Sequence, residues 1–260
     1  MIFHMGLSGA WLLLCFPLAF SAAVVHKKSG GVWVGRRIWG PFLIWAARAK
    51  LVVHGSENVD PARPTVYVAN HQSAMDIPVA FVALPVNFRF VAKKSLSYVP
   101  LLGWYLVSGG HLMVDRGKSA SALATLEKAA KQIREGKSIL MFVEGTRSPD
   151  GRLLPFKKGP FLLALKAGVA LCPVTIEGTA RIMPKKSWKI VPGEIHVKIG
   201  KPIDVRQYRP HQRERLMADV RRIMIAQSLE LGGLGGELDE PPARGKAAAA
   251  LHEQRSHAET

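Results

Sequence analysis

Thr65-Val-Tyr-Val-Ala69-Asn-His-Gln-Ser-Ala-Met-Asp76 is where this chain changes character. Its first part is β-branched and aromatic and reads as a short buried strand. A mostly polar turn follows at once. His71 and Asp76 are separated by four residues. On one helix that offset would set them about 140° apart. His71 is therefore expected in the turn, and Asp76 near the start of the next helix, with Pro78 at its first position. A histidine beside a carboxylate can act as a general base: the carboxylate fixes the tautomer and stabilises the imidazolium that forms. The same two residues could also cap a helix without doing chemistry.

Outward from this stretch, strands and helices alternate. Phe88 to Ala92, His111 to Asp115, Ser138 to Val143 and Leu171 to Glu177 read as further strands. Ser119 to Glu135 is an alanine-rich helix closed by Gly136. Glu194 to Ile199 alternates polar with apolar and is expected at a sheet edge. Gln212 to Leu231 reads as a basic helix. The pattern predicts an α/β fold, a mixed sheet flanked by helices. Gly232 to Thr260, rich in glycine, proline and alanine, reads as a flexible tail. There is no internal repeat.

Three more polar clusters fall at strand ends. Phe142-Val-Glu144-Gly145-Thr146-Arg147-Ser148 combines a glycine turn with donors, and arginine grips phosphate through two parallel bonds. Pro155-Phe-Lys157-Lys158-Gly159 puts two lysines before an expected helix N-terminus, where anions bind well. Asp115-Arg116 follows the third strand. Each alone reads as a solvated loop. Together they gather His, Asp, Glu and cations where α/β sheets bind ligands.

Composition limits the partners. Of 260 residues, 36 are Lys or Arg and 19 Asp or Glu, a net charge of +17. That favours an anionic partner: nucleic acid, an anionic membrane surface or a phosphorylated substrate. Apolar residues make up 48%, too many for a disordered basic protein. Cys15 and Cys172 alone exclude a disulfide scaffold and a cysteine-rich zinc site. No residue from Met5 to Val25 is charged, and His26, Lys27 and Lys28 follow. That run is long enough to span a bilayer, with the bulk of the chain on the cytoplasmic side. A helix lying in one leaflet is the alternative. A cleaved signal peptide would carry its positive charge before the apolar run, not after it. Val32 to Lys50 mixes Trp33, Trp39 and Trp45 with Arg36, Arg37, Arg48 and Lys50. It reads as an amphipathic helix for the headgroup zone, with Arg37 and Arg48 within about 20° of each other; the alternative is an ordinary amphipathic helix on a soluble core.

Several motifs are missing. Gly117-Lys-Ser119 and Gly136-Lys-Ser138 lack the earlier glycine of a P-loop. There is no Gly-x-Ser-x-Gly elbow. His252-Glu-Gln-Arg-Ser-His257 misses the zinc-protease spacing.

Taken in order, Asn70-His71-Gln-Ser-Ala-Met-Asp76, Gly110-His-Leu-Met-Val-Asp-Arg116, Val143-Glu-Gly-Thr-Arg-Ser148 and Cys172-Pro173-Val174 resemble the glycerolipid acyltransferases. The likeness is greatest to the bacterial 1-acyl-sn-glycerol-3-phosphate acyltransferases and covers about residues 50 to 205. It implies a lysophosphatidate hydroxyl acylated from acyl-CoA or acyl carrier protein, with no cofactor beyond that co-substrate. It implies His71 as general base and Asp76 as its orienting partner. Arg116, Glu144, Gly145, Thr146 and Arg147 match the acceptor-binding motifs, and Lys157 the lysine of the Phe-Lys-x-Gly stretch. Pro173 matches a motif near the acyl chain. Leu171-Cys-Pro departs from the usual valine-proline context, and Cys172 reads as a small buried hydrophobe.

The organisation expected from all this is membrane-associated helices over 1–50, a catalytic domain over 51–231 and a tail over 232–260. The implied product is phosphatidate for phospholipid biosynthesis, made at a bacterial-type inner membrane with the catalytic domain on its cytoplasmic side. Membrane lipids are expected partners and nucleic acid is not. Two alternatives are a sibling acyltransferase, for glycerol-3-phosphate or another lysolipid, and a non-enzymatic cationic membrane-binding protein. A thioester is already an activated donor, so no serine nucleophile is required. One neutral histidine can remove the acceptor's proton during attack.

Overall fold

The computed structural model describes Ser21 and residues 30–115, 119–185, 187 and 189–237. Seven strands form one sheet in the order β1-β7-β6-β2-β5-β3-β4. They are β1 (Ala49–His54), β2 (Val66–Ala69), β3 (Phe88–Lys93), β4 (Leu112–Val114), β5 (Ser138–Phe142), β6 (Leu171–Glu177) and β7 (Gly193–Ile199). β6, β2, β5, β3 and β4 are parallel; β7 runs against β6, and β1 is parallel to β7. The sheet is mixed and flanked by helices, as the alternating pattern predicts.

β2 lies at the centre and is buried at every position. Its period-2 geometry divides it between two cores. Val66 and Val68 join Ile139, Leu171, Phe161, Leu163, Leu216, Val220 and Met224 on one face. Tyr67 and Ala69 join Leu140, Cys172, Ile176, Phe81, Phe88 and Phe90 on the other. Burying each large side chain contributes roughly 1.5–3 kcal/mol. A central strand enclosed on both faces reads as a continuous apolar run, which is why Thr65 to Ala69 is legible.

The helices are α1 (Gly30–Val34) and α2 (Gly40–Ala46), joined by a π-helical stretch Gly35–Trp39, then α3 (Asp76–Ala83), α4 (Leu102–Ser108), α5 (Ser119–Arg134), α6 (Gly159–Ala167), α7 (Thr179–Ile182) and α8 (Arg213–Glu230). Pro78 is the third residue of α3, not the first. Asp76 opens the helix, where a carboxylate suits the positive end of the backbone dipole.

Other expectations are corrected. β7 is not an edge: it sits between β1 and β6, and the edges are β1 and β4. Its alternation reflects one buried and one wetter face, not a missing neighbour. The Val32 to Lys50 helix ends at Ala46, and Lys50 lies on β1, paired with Glu194 at 2.9 Å. Arg48 takes a left-handed turn with φ 50°, so Arg37 and Arg48 share no helix face. Arg36 points into the protein. Its guanidinium donates to the carbonyls of Leu84 at 2.8 Å and Val86, at the end of α3. Val32, Ile44 and Ala47 belong to the same core as Phe81 and Phe88, so residues 30–47 pack on the main body.

Among the described residues, no helix is long and apolar enough to cross a membrane. The apolar run from Met5 to Val25 lies outside the described residues, except for Ser21. Residues 232–237 are bonded to the body: Gly235 N donates to Ser228 Oγ at 3.1 Å, and Leu153 N to Gly235 O at 2.8 Å. The expected tail thus starts as a seated segment, and residues 238–260 lie outside the description.

Candidate active site

The carboxyl ends of β2, β5 and β6 converge on one place. Past β2, the chain turns through Asn70, whose side chain continues the sheet. Its Nδ2 donates to Ile176 O at 2.8 Å and its Oδ1 accepts Ile176 N at 2.7 Å. This fixes the turn that carries His71. Nδ1 of His71 lies 2.7 Å from Oδ2 of Asp76. Asp76 is 0% exposed. The same Oδ2 accepts the backbone N–H groups of Gln72 at 2.7 Å and Ser73 at 2.9 Å. Oδ1 accepts Thr179 Oγ1 at 2.5 Å, from α7.

A carboxylate with four donors around it is strongly held in one orientation. Asp76 accepts, so Nδ1 carries the proton and Nε2 keeps its lone pair. The His71 ring stacks on Phe142 at the end of β5, centroids 4.0 Å apart. Phe142 stacks in turn on Phe90, at 6.1 Å. The His71 side chain is 16% exposed, and its Nε2 makes no hydrogen bond among the described residues. A fixed tautomer, a fixed ring plane and an open nitrogen are the requirements of a general base.

The loop after β5 wraps this turn. Oε1 of Glu144 accepts the His71 backbone N–H at 3.1 Å. Glu144 is 2% exposed, and burial pushes its carboxyl up to about 8. Its Oε1 holds the His71-bearing turn from inside, while its Oε2 is buried with no hydrogen-bond partner among the described residues. Gly145 has φ 68°, and a Cβ there would lie 3.3 Å from Lys157 Cγ. The turn therefore requires glycine. Thr146 is exposed and Arg147 half-buried. Among the described residues the Arg147 guanidinium makes no hydrogen bond or ion pair, whereas its carbonyl accepts Lys185 Nζ at 2.6 Å. The Lys157 backbone N–H is fixed to Val143 O at 2.7 Å, and its side chain is exposed just before α6. Lys158 is engaged with Glu214 at 3.7 Å. Arg116 lies outside the described residues.

Sequence reasoning missed the supports behind the dyad. Thr179 carries no motif signal, since its role appears only when α7 meets the start of α3. Gln72 and Ser73 act through backbone N–H groups that any residue type could supply. Cys172 is buried, and burial pushes its thiol up to about 12, which agrees with an inert core residue.

A family profile described as Acyltransferase matches residues 50–177. The chain is 36% identical over 241 residues to a 1-acyl-sn-glycerol-3-phosphate acyltransferase of Chlamydomonas reinhardtii, covering 88% of this chain and 71% of that one. It is 36% identical to the chloroplastic 1-acyl-sn-glycerol-3-phosphate acyltransferase of Brassica napus over 75% of this chain, and spans 55% of that longer protein. Its fold is similar to the crystal structure of the 1-acyl-sn-glycerophosphate acyltransferase of Thermotoga maritima. The TM-score is 0.74 and the identity 28%, with 87% of this chain and 94% of that chain covered. Fold, site and family match define an acyltransferase. The chain belongs to the family of the 1-acyl-sn-glycerol-3-phosphate acyltransferases.

Proposed function

We propose that this enzyme transfers a fatty acyl group from acyl-CoA or acyl carrier protein to the sn-2 hydroxyl of lysophosphatidate, giving phosphatidate for phospholipid biosynthesis. The observation that carries the mechanism is the 2.7 Å contact of His71 Nδ1 with a buried, four-donor Asp76. Nε2 of His71 takes the hydroxyl proton as the oxygen attacks the thioester carbonyl. An ester C–O bond forms and the C–S bond breaks. The proton passes to the departing thiolate, and His71 returns neutral. Asp76 stabilises the imidazolium while it exists. No cofactor enters this scheme beyond the acyl donor.

Arg147 and Lys157 supply the cations for the acceptor phosphate, with Arg116 joining them. Holding the phosphate fixes the hydroxyl near His71, which replaces a bimolecular encounter by a bound geometry. The acceptor is amphipathic and the acyl chain is apolar, so the reaction belongs at a membrane surface. Residues 1–50 are the part proposed to hold it there, with the catalytic domain on the cytoplasmic side. Exposed Trp33 and Trp45, on α1 and α2, and the net charge of +17 support that reading.

The deciding assay uses the purified full-length protein with lysophosphatidate and labelled acyl-CoA or acyl carrier protein, the product being identified by mass. Phosphatidate is the expected product. Transfer to glycerol-3-phosphate or to an uncharged lysolipid in preference to lysophosphatidate would overturn the acceptor assignment.

A further inference from the structure

The segment after α8 lies outside every sequence motif, yet buried hydrogen bonds connect it to the dyad. Glu177 ends β6 and is 4% exposed. Its Oε2 accepts Gln72 Nε2 at 3.0 Å, and the same amide nitrogen donates to Gly151 O at 3.0 Å. Its Oε1 accepts Ser228 Oγ at 2.6 Å, from the last turn of α8. Ser228 Oγ accepts the Gly235 N–H at 3.1 Å. Gly233 approaches so closely that a Cβ there would sit 2.4 Å from the Glu177 carboxyl carbon. Arg221 completes the lacing. It donates to Leu154 O at 2.7 Å and Glu237 O at 2.8 Å.

Gln72 is the link. Its side chain is bound by Glu177, and its backbone N–H donates to Asp76 Oδ2 at 2.7 Å. A residue fixed at both ends transmits its anchoring to the carboxylate that orients His71. A core built for stability alone favours an apolar side chain over a buried carboxyl. The charged groups facing Glu177 are Arg181 and Asp76.

We propose that Glu177 is a positioning residue that clamps Gln72 to α8 and to residues 232–237, so that this C-terminal segment helps aim Asp76 at His71. The proposal rests on the His71–Asp76 mechanism above. It gives a role to a segment that carries none of the sequence motifs.

The test uses full-length Glu177→Ala, Glu177→Gln and Thr175→Val, and the chain ended after Leu231. Thr175 lies on the same strand and bonds Gln227 of the same helix at 2.8 Å, so it controls for loss of stability alone. Glu177→Ala should lower kcat roughly 10–100-fold, the scale of a small misplacement, with little change in acceptor KM. Glu177→Gln keeps an acceptor for Gln72 and should retain most of kcat. The shortened chain keeps the Ser228–Glu177–Gln72 bonds and should lose part of what Glu177→Ala loses, and the two changes combined should cost no more than Glu177→Ala alone. Thr175→Val should lower Tm and leave kcat alone. A downfield proton resonance from His71 Nδ1–H reports the dyad without any substrate, and should weaken or vanish in Glu177→Ala. That separates this proposal from the choice of acceptor and donor. Wild-type kcat and an unchanged resonance in Glu177→Ala would overturn it. So would a kcat loss in Thr175→Val equal to that in Glu177→Ala. If Glu177→Ala does not fold, the shortened chain decides: wild-type kcat there rejects the clamp.

Discussion

The backbone carbonyl of His71 accepts the N–H of Ser148 at 2.7 Å. With Glu144 accepting the His71 N–H, the Glu144 to Ser148 run holds both sides of His71. The turn with the proposed base and the turn with the proposed phosphate-binding arginine are therefore one hydrogen-bonded unit. The two loops are tied together by these bonds, which would keep the proposed base and the proposed phosphate site at a fixed separation.

His71→Ala should fold and lose acyl transfer by about 10²–10⁴-fold, the usual worth of a general base. Asp76→Asn should lose somewhat less, because Nε2 can still accept a proton but with a poorly held tautomer. Acceptor KM should change little in either. Steady-state rates on variants with native circular dichroism check this, and near wild-type kcat in His71→Ala would falsify the mechanism.

Glu144 gives a pH signature. Its carboxyl is raised from 4.5 to about 8, chiefly by burial, with the His71 backbone N–H pulling the other way. Between these values the folded chain keeps a proton that the unfolded chain has lost. Stability from this group should therefore fall as pH rises from about 4.5 to about 8, then level off. Glu144→Gln removes the ionisable proton and should flatten that slope. Urea unfolding at pH 5, 7 and 9 measures it; parallel slopes in wild type and variant would rule it out.

Arg36 separates packing from lipid contact. Its guanidinium satisfies carbonyls at the end of α3, inside the structure. Arg36→Ala should cost about 1–3 kcal/mol of stability, the penalty for stranding buried acceptors. It should leave vesicle binding unchanged. Arg37, exposed on the neighbouring position, should behave the opposite way. Tm and vesicle co-sedimentation distinguish the two outcomes.

Deleting residues 1–28 should move much of the protein into the soluble fraction. What stays bound should be released by salt, since the exposed tryptophans and the positive charge remain. A shortened protein that stays on membranes at high salt, as the full chain does, would remove the anchoring role from the first segment.

How much of this was legible differs from residue to residue. β2 and the turn after it were readable because an apolar run ends abruptly in polar residues, and because a five-residue offset cannot pair His71 with Asp76 on one helix. β1 was not. Trp45-Ala-Ala-Arg-Ala-Lys-Leu-Val-Val53 passes from helix to strand without a glycine or proline, and the break is Arg48 at positive φ. β7 looked like an edge because burial on one face and absence of a neighbour leave the same alternation. Glu144 reads as a ligand residue because its motif sits among cations, and its bond to the His71 N–H is created only by the pairing of β2 with β5. Glu177, Gln72 and Ser228 were invisible as a group: 105 and 51 residues separate the bonded pairs. No local pattern records a meeting that only the sheet order creates.

Arg147 offers the sharpest separation of phosphate binding from proton transfer. Arg147 is half-buried and its guanidinium is unbonded among the described residues, so its donors are available. A guanidinium suits a phosphate dianion through two parallel bonds and is a poor proton-transfer group. Losing one charge-assisted contact should cost roughly 1.5–3 kcal/mol. Equal contact in ground and transition states would put that loss in KM for lysophosphatidate, and a contact that positions the hydroxyl would lower kcat too. Arg147→Lys should recover only part, because a point charge lacks the fork. Lys157→Ala should behave like Arg147→Ala, whereas Lys158→Ala should be milder, since Lys158 is already engaged with Glu214. The decisive comparison is lysophosphatidate against monoacylglycerol in wild type and Arg147→Ala. Wild type should strongly prefer the phosphorylated acceptor and the variant should lose most of that preference. An unchanged preference would mean that the phosphate is held elsewhere, and the Glu144 to Arg147 run would then serve only to hold His71.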